Sequence, residues 1–289
     1  MIHGKGAPAI AIEGVILRSG QSSVRLRVFG EEAPVTLRAP WRADLVPGVI
    51  ATIEIAKRWR YARNEYATGR VLGVTLDIRH LNLVPLAVHV HGQWRPQVAT
   101  PGEPFGVSPG VFNFLPAAAL PDAEMEQVIP GADLDDPDTD PAICAADLAN
   151  VGDLDTAFHI LGRAVAQDLR YLDGHAHLGH MVLRLPRGGD TLARARLHYT
   201  VGAEIGRSFL SPNFTGYLRS VCVDNRPLLR CLHGLALCQG VAGDHKDAEK
   251  TLWELLRFDP EDRLGAEELL ACLRRGDTRG WAFGDEAAY

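Results

Sequence analysis

One pattern occurs twice in this chain and limits what the chain can fold into. Residues 241–260 begin with a Gly-Asp turn, continue with small and apolar residues at helical spacing, and end in proline: Ala248, Leu252, Leu255 and Pro260. Residues 150–169 repeat the pattern after a second Gly-Asp turn, with Ala157, Leu161 and Ala164. The spacing places these side chains on one face of a helix. Since a single helix cannot bury such a face, the two copies predict stacked helical hairpins.

The same periodicity extends over residues 142–276. It predicts about three helix pairs, followed by a capping helix near residues 262–275 that covers the exposed face of the last pair. A long loop separates the second pair from the third. The third pair begins at Pro227, and Asp224 or Asn225 is expected to cap its first helix.

Residues 1–95 have a different pattern, which is typical of a small β domain. Six short runs rich in Val, Ile, Thr and Leu are separated by Gly, Pro and charged residues at roughly ten-residue spacing. These runs are residues 9–17, 22–28, 33–39, 48–56, 69–76 and 83–90. We therefore predict an α+β protein, in which a small antiparallel β-barrel or sandwich of five or six strands precedes the helical array.

Residues 96–141 carry nine prolines and an acidic end, and they predict a linker with one short helix near residues 117–128. Residues 277–289 are expected to form a tail. Residues 1–100 contain 13 Lys and Arg against 7 Asp and Glu, a balance of +6, whereas the remainder has a balance of -12. This asymmetry indicates two regions that can attract each other.

Residues 57–66 of the β domain mix cationic and aromatic side chains. The segment includes Lys57, Arg58, Trp59, Arg60, Tyr61 and Arg63. Such a mixture can hold phosphates while its rings stack on bases, so nucleic-acid binding is one interpretation. The alternatives are a hairpin whose aromatic rings face the core and whose arginines lie outside, or a contact with the acidic C-terminal half.

The helical half resembles the tetratricopeptide repeat superfamily over about 135 residues, 142–276. Leu178-Gly179 match the first helix of the repeat and Ala193 the second, while the first copy has Leu169 in place of the terminal proline. Residues 124–141, 168–180 and 224–238 are also similar to segments of a group of bacterial repeat proteins with a β-rich N-terminal domain and no established activity. The resemblance implies a tetratricopeptide-like fold.

In proteins of that superfamily, the first helix of each pair lines a concave binding surface. The resemblance therefore places Asp173, His180, Arg230 and His233 at exposed positions of a groove that binds a protein or peptide partner. The alternative is that the chain's own linker fills this groove.

No phosphate-binding glycine loop or paired-carboxylate motif occurs in the sequence. We therefore expect a non-enzymatic adaptor without catalytic residues, cofactor or metal. A metal-dependent enzyme at His175, His177 and His180 is the less favoured alternative, because it requires a further ligand from another element.

Five scattered cysteines without a CxxC pair predict reduced thiols in a cytoplasmic protein. No apolar run approaches the roughly 18 residues needed to cross a bilayer, so no membrane association is expected. The oligomeric state stays open.

Overall fold

A computed structural model describes residues 11–99, 106–133, 136–184 and 190–277. It confirms the predicted α+β class, with five paired strands near the N-terminus and helices in the C-terminal half. Within the described part of the chain, no helix is long and apolar enough to cross a membrane. The expected tail, apart from Asp277, lies outside the described residues.

The N-terminal sheet contains five strands, and its ring of pairings closes because β4 pairs with both β5 and β1. The strands are β1 Ala11–Ser19, β2 Ser23–Val28, β3 Val35–Arg38, β4 Ile50–Tyr61 and β5 Asn64–Thr75. In β2, Val24, Leu26 and Val28 are buried while Arg25 and Arg27 are exposed, as the alternation indicates.

The expectation of a purely antiparallel sheet is wrong at one pairing, since β3 and β5 run parallel. The reason is geometric. Antiparallel pairing alternates strand direction around a ring, and an odd number of strands cannot alternate without leaving one parallel pair. The other four pairings are antiparallel.

The sixth predicted run, β6 (Val88–Trp94), does not join this sheet but pairs with β7 (Leu120–Met125). The short helix expected near residues 117–128 is therefore wrong, because that segment contains a strand. The amide of Ala123 donates a hydrogen bond to the carbonyl of Tyr217, so β7 is held from both sides. A short helix, α1, lies earlier, at Pro109–Phe112.

Seven further helices of the described residues, which we call the array, form three antiparallel pairs and a final helix. They are α2 Pro141–Asn150, α3 Leu154–Gln167, α4 Leu172–Arg184, α5 Thr191–Phe209, α6 Arg226–Ala242, α7 His245–Phe258 and α8 Ala266–Arg275. Both Gly-Asp turns occur between paired helices, and Gly152 and Gly243 have φ values of +88° and +86°, which a glycine adopts without strain.

Tyr199 of α5 shows how closely the array is packed. Its ring lies against Gly179 of α4 and Gly234 of α6, where added Cβ atoms would lie 2.8 Å and 2.2 Å from ring carbons. The buried tyrosine therefore occupies space that the two glycines leave free. This packing explains the Leu-Gly pair at residues 178 and 179 in physical terms.

The sheet packs directly on the array, and both contribute to one continuous core. Gly48, with a φ of +89°, lies against Val201 of α5 at a distance that leaves no room for a side chain. Arg18 donates a hydrogen bond to His159 of α3, and Ser19 accepts one from Arg194 of α5. These contacts place the end of β1 over α3 and α5.

Asn225 does not cap α6 through its side chain, contrary to our expectation. Its amide is fully buried and binds β7, donating to the carbonyl of Ala123 and accepting from the amide of Met125 at 2.9 Å each. The buried backbone of β7 requires hydrogen-bond partners, and the side chain of Asn225 supplies two of them.

Candidate functional site

The first helices of the pairs, α2, α4 and α6, lie side by side and carry the groove positions that the sequence analysis selected. Asp173 was expected to be exposed and is instead buried. It accepts two hydrogen bonds from Nη1 of Arg230, at 2.7 Å and 2.9 Å. The pair joins α4 to α6. Asp173 and Arg230 bind each other, so neither charged group is free to bind a partner. The pair instead holds α4 against α6.

This pair belongs to a larger polar cluster that reaches α2. The hydroxyl of Tyr171 donates to Asp140 at 3.1 Å, and Asp140 also caps α2 by accepting from the amide of Ala142. Nε2 of His177 lies 3.7 Å from Asp173. Burial raises the pKa of Tyr171, and the nearby carboxylates add to that effect. The cluster therefore keeps Tyr171 protonated and ties three helices together.

His180 and His233 are half-buried, on α4 and α6 respectively. Burial lowers the pKa of His233 to about 4, so its imidazole is neutral at physiological pH. His175, one of the three histidines of the metal hypothesis, is fully buried and binds the carbonyl of Leu169 at 3.2 Å. In the described ranges, no group of three or more His, Cys, Asp or Glu residues could hold a metal ion.

The cationic and aromatic segment forms the tip of the β4–β5 hairpin, as one of the alternatives predicts. Its aromatic rings do not enter the core, however, because Trp59 is only half-buried and Tyr61 is exposed. Trp59 stacks on Tyr66 with ring centres 5.8 Å apart, and the guanidinium of Arg38 lies 5.5 Å from the Trp59 ring centre. Lys57, Arg60 and Arg63 are exposed.

Arg58 of this segment is less available for binding a phosphate than the sequence indicated. Both of its terminal nitrogens bind Glu31, one of them at 2.8 Å, and Glu65 lies 3.5 Å from its Nε. Arg60 also lies 3.7 Å from Glu65. Glu31 and Glu65 therefore reduce the positive field around Arg58 and Arg60. Lys57 and, at the tip, Arg63 are the cations of this segment that have no ion pair with a described residue.

A cavity of about 490 Å³ lies between the N-terminal sheet and the array, and the sequence analysis did not find it. The end of β1 and the following turn form one wall, and α3, α4 and α5 form the other. We call it the sheet–array cavity. Its aromatic and charged lining consists of Arg18, Trp41, Asp155, Phe158, His159 and Arg194. Leu178 and Val182 add apolar surface.

Arg194 is the most unusual residue in this lining. It is 5% exposed, and its Nη2 donates to the hydroxyl of Ser19 at 2.8 Å. Its Nη1 is buried and has no hydrogen-bond partner in the described part of the chain. The rings of Trp41 and Phe158 lie 5.8 Å and 5.9 Å from the guanidinium carbon. Burial lowers the pKa of Arg194 to about 10, so the side chain stays charged at neutral pH.

His198, one helical turn further along α5, also lines the cavity. It is fully buried, and neither ring nitrogen has a hydrogen-bond partner among the described residues. Burial lowers its pKa well below the usual value, and the charges of Arg194 and His175 act in the same direction. A neutral imidazole has one N–H donor and one acceptor, and the described residues use neither of them at His198.

A sequence signal for Arg194 and His198 exists in retrospect. They lie four residues apart, and the next residue at that interval, Gly202, is buried against Cys231 and His175. Two polar residues on an otherwise buried helical stripe indicate either a buried polar contact or a ligand site. The sequence alone did not show that the sheet covers this stripe.

A second opening is lined almost entirely by apolar side chains and lies at the far end of the array. We call it the apolar cleft. Its volume is about 480 Å³, and its lining includes Phe114, Leu115, Leu120, Trp253, Leu256 and Arg257. Phe114 is 68% exposed, and its ring centre lies 4.6 Å from that of Trp253.

No protein-family model, curated protein or solved structure matches this chain. The similarity to tetratricopeptide repeats therefore stays a prediction, and function has to be inferred from the residues themselves.

Proposed function

We propose that this protein is a non-enzymatic scaffold that binds an extended segment of a partner protein through its helical array. The observation that carries this proposal is the apolar cleft between the α1 segment and α7, with Phe114 exposed beside Trp253. Large aromatic side chains in a pocket are typical anchors of protein interfaces. A cleft of this composition supports the binding of one large apolar side chain.

One cation at the cleft, Arg257, favours an acidic group on the partner. Arg257 lies at the cleft and donates to the carbonyl of Phe214, and it forms no ion pair with any residue that the structure describes. Arg274, at the adjoining pocket, lies 5.6 Å from the Trp253 ring centre and binds Glu249. Glu267 also lines that pocket. We therefore expect a segment with a Leu, Phe or Trp side chain next to Asp or Glu.

Selection from a random displayed peptide library tests this proposal. The peptides enriched on the wild-type protein should combine a large apolar residue with acidic neighbours. Their affinity, measured by fluorescence polarisation, should fall at least about tenfold for Phe114→Glu, which removes an aromatic anchor and adds a repelling charge.

Val151→Glu is the matched control, since Val151 is 79% exposed but lies in the α2–α3 turn. This variant should bind like the wild type. A failure to enrich any peptide would contradict the binding function. Equal binding by Phe114→Glu would contradict the location.

Nucleic-acid binding by the N-terminal sheet is a second candidate. The favouring observation is the stacked pair of Trp59 and Tyr66, with Arg38 over the tryptophan ring. Small five-stranded barrels of the oligonucleotide-binding kind use strands 2 and 3 and the loop between strands 4 and 5. The closed ring of pairings supports such a barrel here, and Arg25 and Arg27 of β2 are exposed near that position in the ring.

Titration of oligo-dT at several salt concentrations tests this second candidate. Affinity should fall steeply with salt, and Arg63→Glu at the hairpin tip should weaken binding and reduce the salt slope by about one. Arg79→Glu, an equal change of charge in a turn outside the hairpin, should have little effect. Binding that is absent, or that does not depend on salt, would exclude the candidate.

A further inference from the structure

Arg194 differs from three half-buried arginines of the helical half, each of which binds a carboxylate. Arg207 binds Glu204 and Glu254, Arg219 binds Asp122 and Glu261, and Arg230 binds Asp173. Arg194 is more deeply buried and, among the described residues, makes no ion pair at all. A buried cation without a carboxylate is costly, so its presence calls for a physical explanation.

The charges that face the sheet–array cavity are predominantly positive. Arg18 and Arg194 line it together with one acid, Asp155, which is exposed on the first turn of α3. Nη2 of Arg18 lies 2.8 Å from Nδ1 of His159, a contact that uses one of its five N–H donors. Among the residues that the structure describes, the cavity therefore contains two guanidinium groups and one carboxylate.

The remaining lining defines what else a ligand must have. Trp41, Phe158, Leu178 and Val182 form apolar walls, and the volume of about 490 Å³ is within the range of small-molecule sites. An inorganic ion alone would leave these walls without contacts. A flat or branched apolar group attached to an anionic group would contact both kinds of surface.

We propose that the sheet–array cavity binds a small organic anion, whose carboxylate or phosphate group lies on Arg194 and whose apolar part contacts Trp41 and Phe158. Arg194 lines the cavity and keeps one donor, Nη1, without a partner among the described residues, and Arg18 supplies further donors. Such charge-assisted bonds are among the stronger hydrogen bonds in proteins. His198 lines the same cavity and can donate or accept one further bond. This site is independent of the partner proposed for the array.

Four probes distinguish the chemistry: phenyl phosphate, benzoate, inorganic phosphate and uncharged benzamide. Binding is measured by calorimetry and by the rise in Tm of the full chain. We expect saturable binding of phenyl phosphate or benzoate, weaker binding of inorganic phosphate, and none of benzamide. Comparable affinity for benzamide, or no binding of either organic anion at millimolar concentration, would overturn the proposal.

Two variants remove the site by different means. Arg194→Met removes the charge, and it should weaken binding of the organic anion at least about tenfold. Gly162→Leu fills the cavity, because Gly162 lines it and an added Cβ meets no atom within 4 Å. That variant should abolish binding while keeping Arg194. Since leucine favours a helix more than glycine does, the variant should also fold at least as stably.

Arg163→Gln is the control, because Arg163 is an exposed arginine of α3 outside the cavity. It should bind the anion like the wild type. If Gly162→Leu folds and still binds with wild-type affinity, the ligand lies elsewhere and the assignment is wrong. If Arg163→Gln weakens binding as much as Arg194→Met, the attraction is a general effect of charge and the site is equally refuted.

Discussion

Two arginines of this molecule, one half-buried and one buried, have different hydrogen-bond partners. Arg230, between α4 and α6, donates two hydrogen bonds to the carboxylate of Asp173. Arg194, between α5 and the N-terminal sheet, has one bond to the neutral hydroxyl of Ser19. The comparison suggests that the first arginine contributes to the stability of the array, whereas the second leaves part of its hydrogen-bonding capacity for another molecule.

The histidines beside the two arginines extend the comparison. Burial lowers the pKa of His177, but the neighbouring Asp173 raises it again in part. At His198 the charge of Arg194 adds to the effect of burial, so both lower the pKa. The stability of the packing around His177 and Asp173 is therefore expected to depend less on acid than the stability of the packing around His198 and Arg194.

The largest expected effect is the loss of the carboxylate partner of Arg230. Asp173→Ala leaves a half-buried guanidinium without its counter-charge, and we expect the free energy of unfolding to fall by about 3 kcal/mol. Urea denaturation measures it. Asp247→Ala, which removes an exposed ion pair with Lys250, should cost less than about 1 kcal/mol. An equally small effect at Asp173 would mean that the buried pair does not stabilise the array.

A smaller effect is expected in the pH dependence of stability. Below pH 6.5, the usual pKa of histidine, the unfolded chain takes up a proton at residue 198 and the folded chain does not. Stability therefore falls as pH decreases below 6.5, by up to about 1.4 kcal/mol per pH unit for this residue. His198→Phe should reduce the measured slope by this amount, while His175 and His233, whose pKa values burial also lowers, continue to contribute. His177→Phe should change it less, and a larger change at His177 would contradict the comparison.

The smallest expected change in stability is that of Arg194→Met. Loss of the bond to Ser19 is offset by removal of a buried charge without a carboxylate partner, so the free energy of unfolding should stay within about 1 kcal/mol of the wild type or increase. Chemical denaturation in a buffer free of organic anions measures it. Destabilisation comparable to that of Asp173→Ala would show that Arg194 is chiefly a structural residue.

Local patterns were sufficient to predict much of the array. The two Gly-Asp turns lie between paired helices because glycine alone adopts their positive φ without strain. Leu178-Gly179 indicated a close approach of helices, and the ring of Tyr199 lies there. Such signals are readable because a turn or a helical stripe involves residues near one another in the sequence.

The candidate sites were predicted less well, since each depends on contacts between distant residues. Asp173 looked like an exposed groove position, but Arg230, 57 residues away, binds it. Asn225 looked like a helix cap, but β7, about 100 residues earlier, uses its amide. β7 was not predicted because it lies in a proline-rich segment and its sequence does not alternate regularly between apolar and polar residues. Only its pairing with β6 identifies it as a strand.

Periodicity and turn chemistry in the chain establish an α+β protein with paired helices after a β-rich region, because these features follow from the positions of apolar residues and glycines along a few turns or strands. The packing of the sheet on α3 and α5 establishes the rest. It buries Arg194 and His198 beside a cavity. Burial and the distance to an opposite charge depend on what other segments bring close, and these quantities decide whether an arginine is a solvated surface residue or a binding residue.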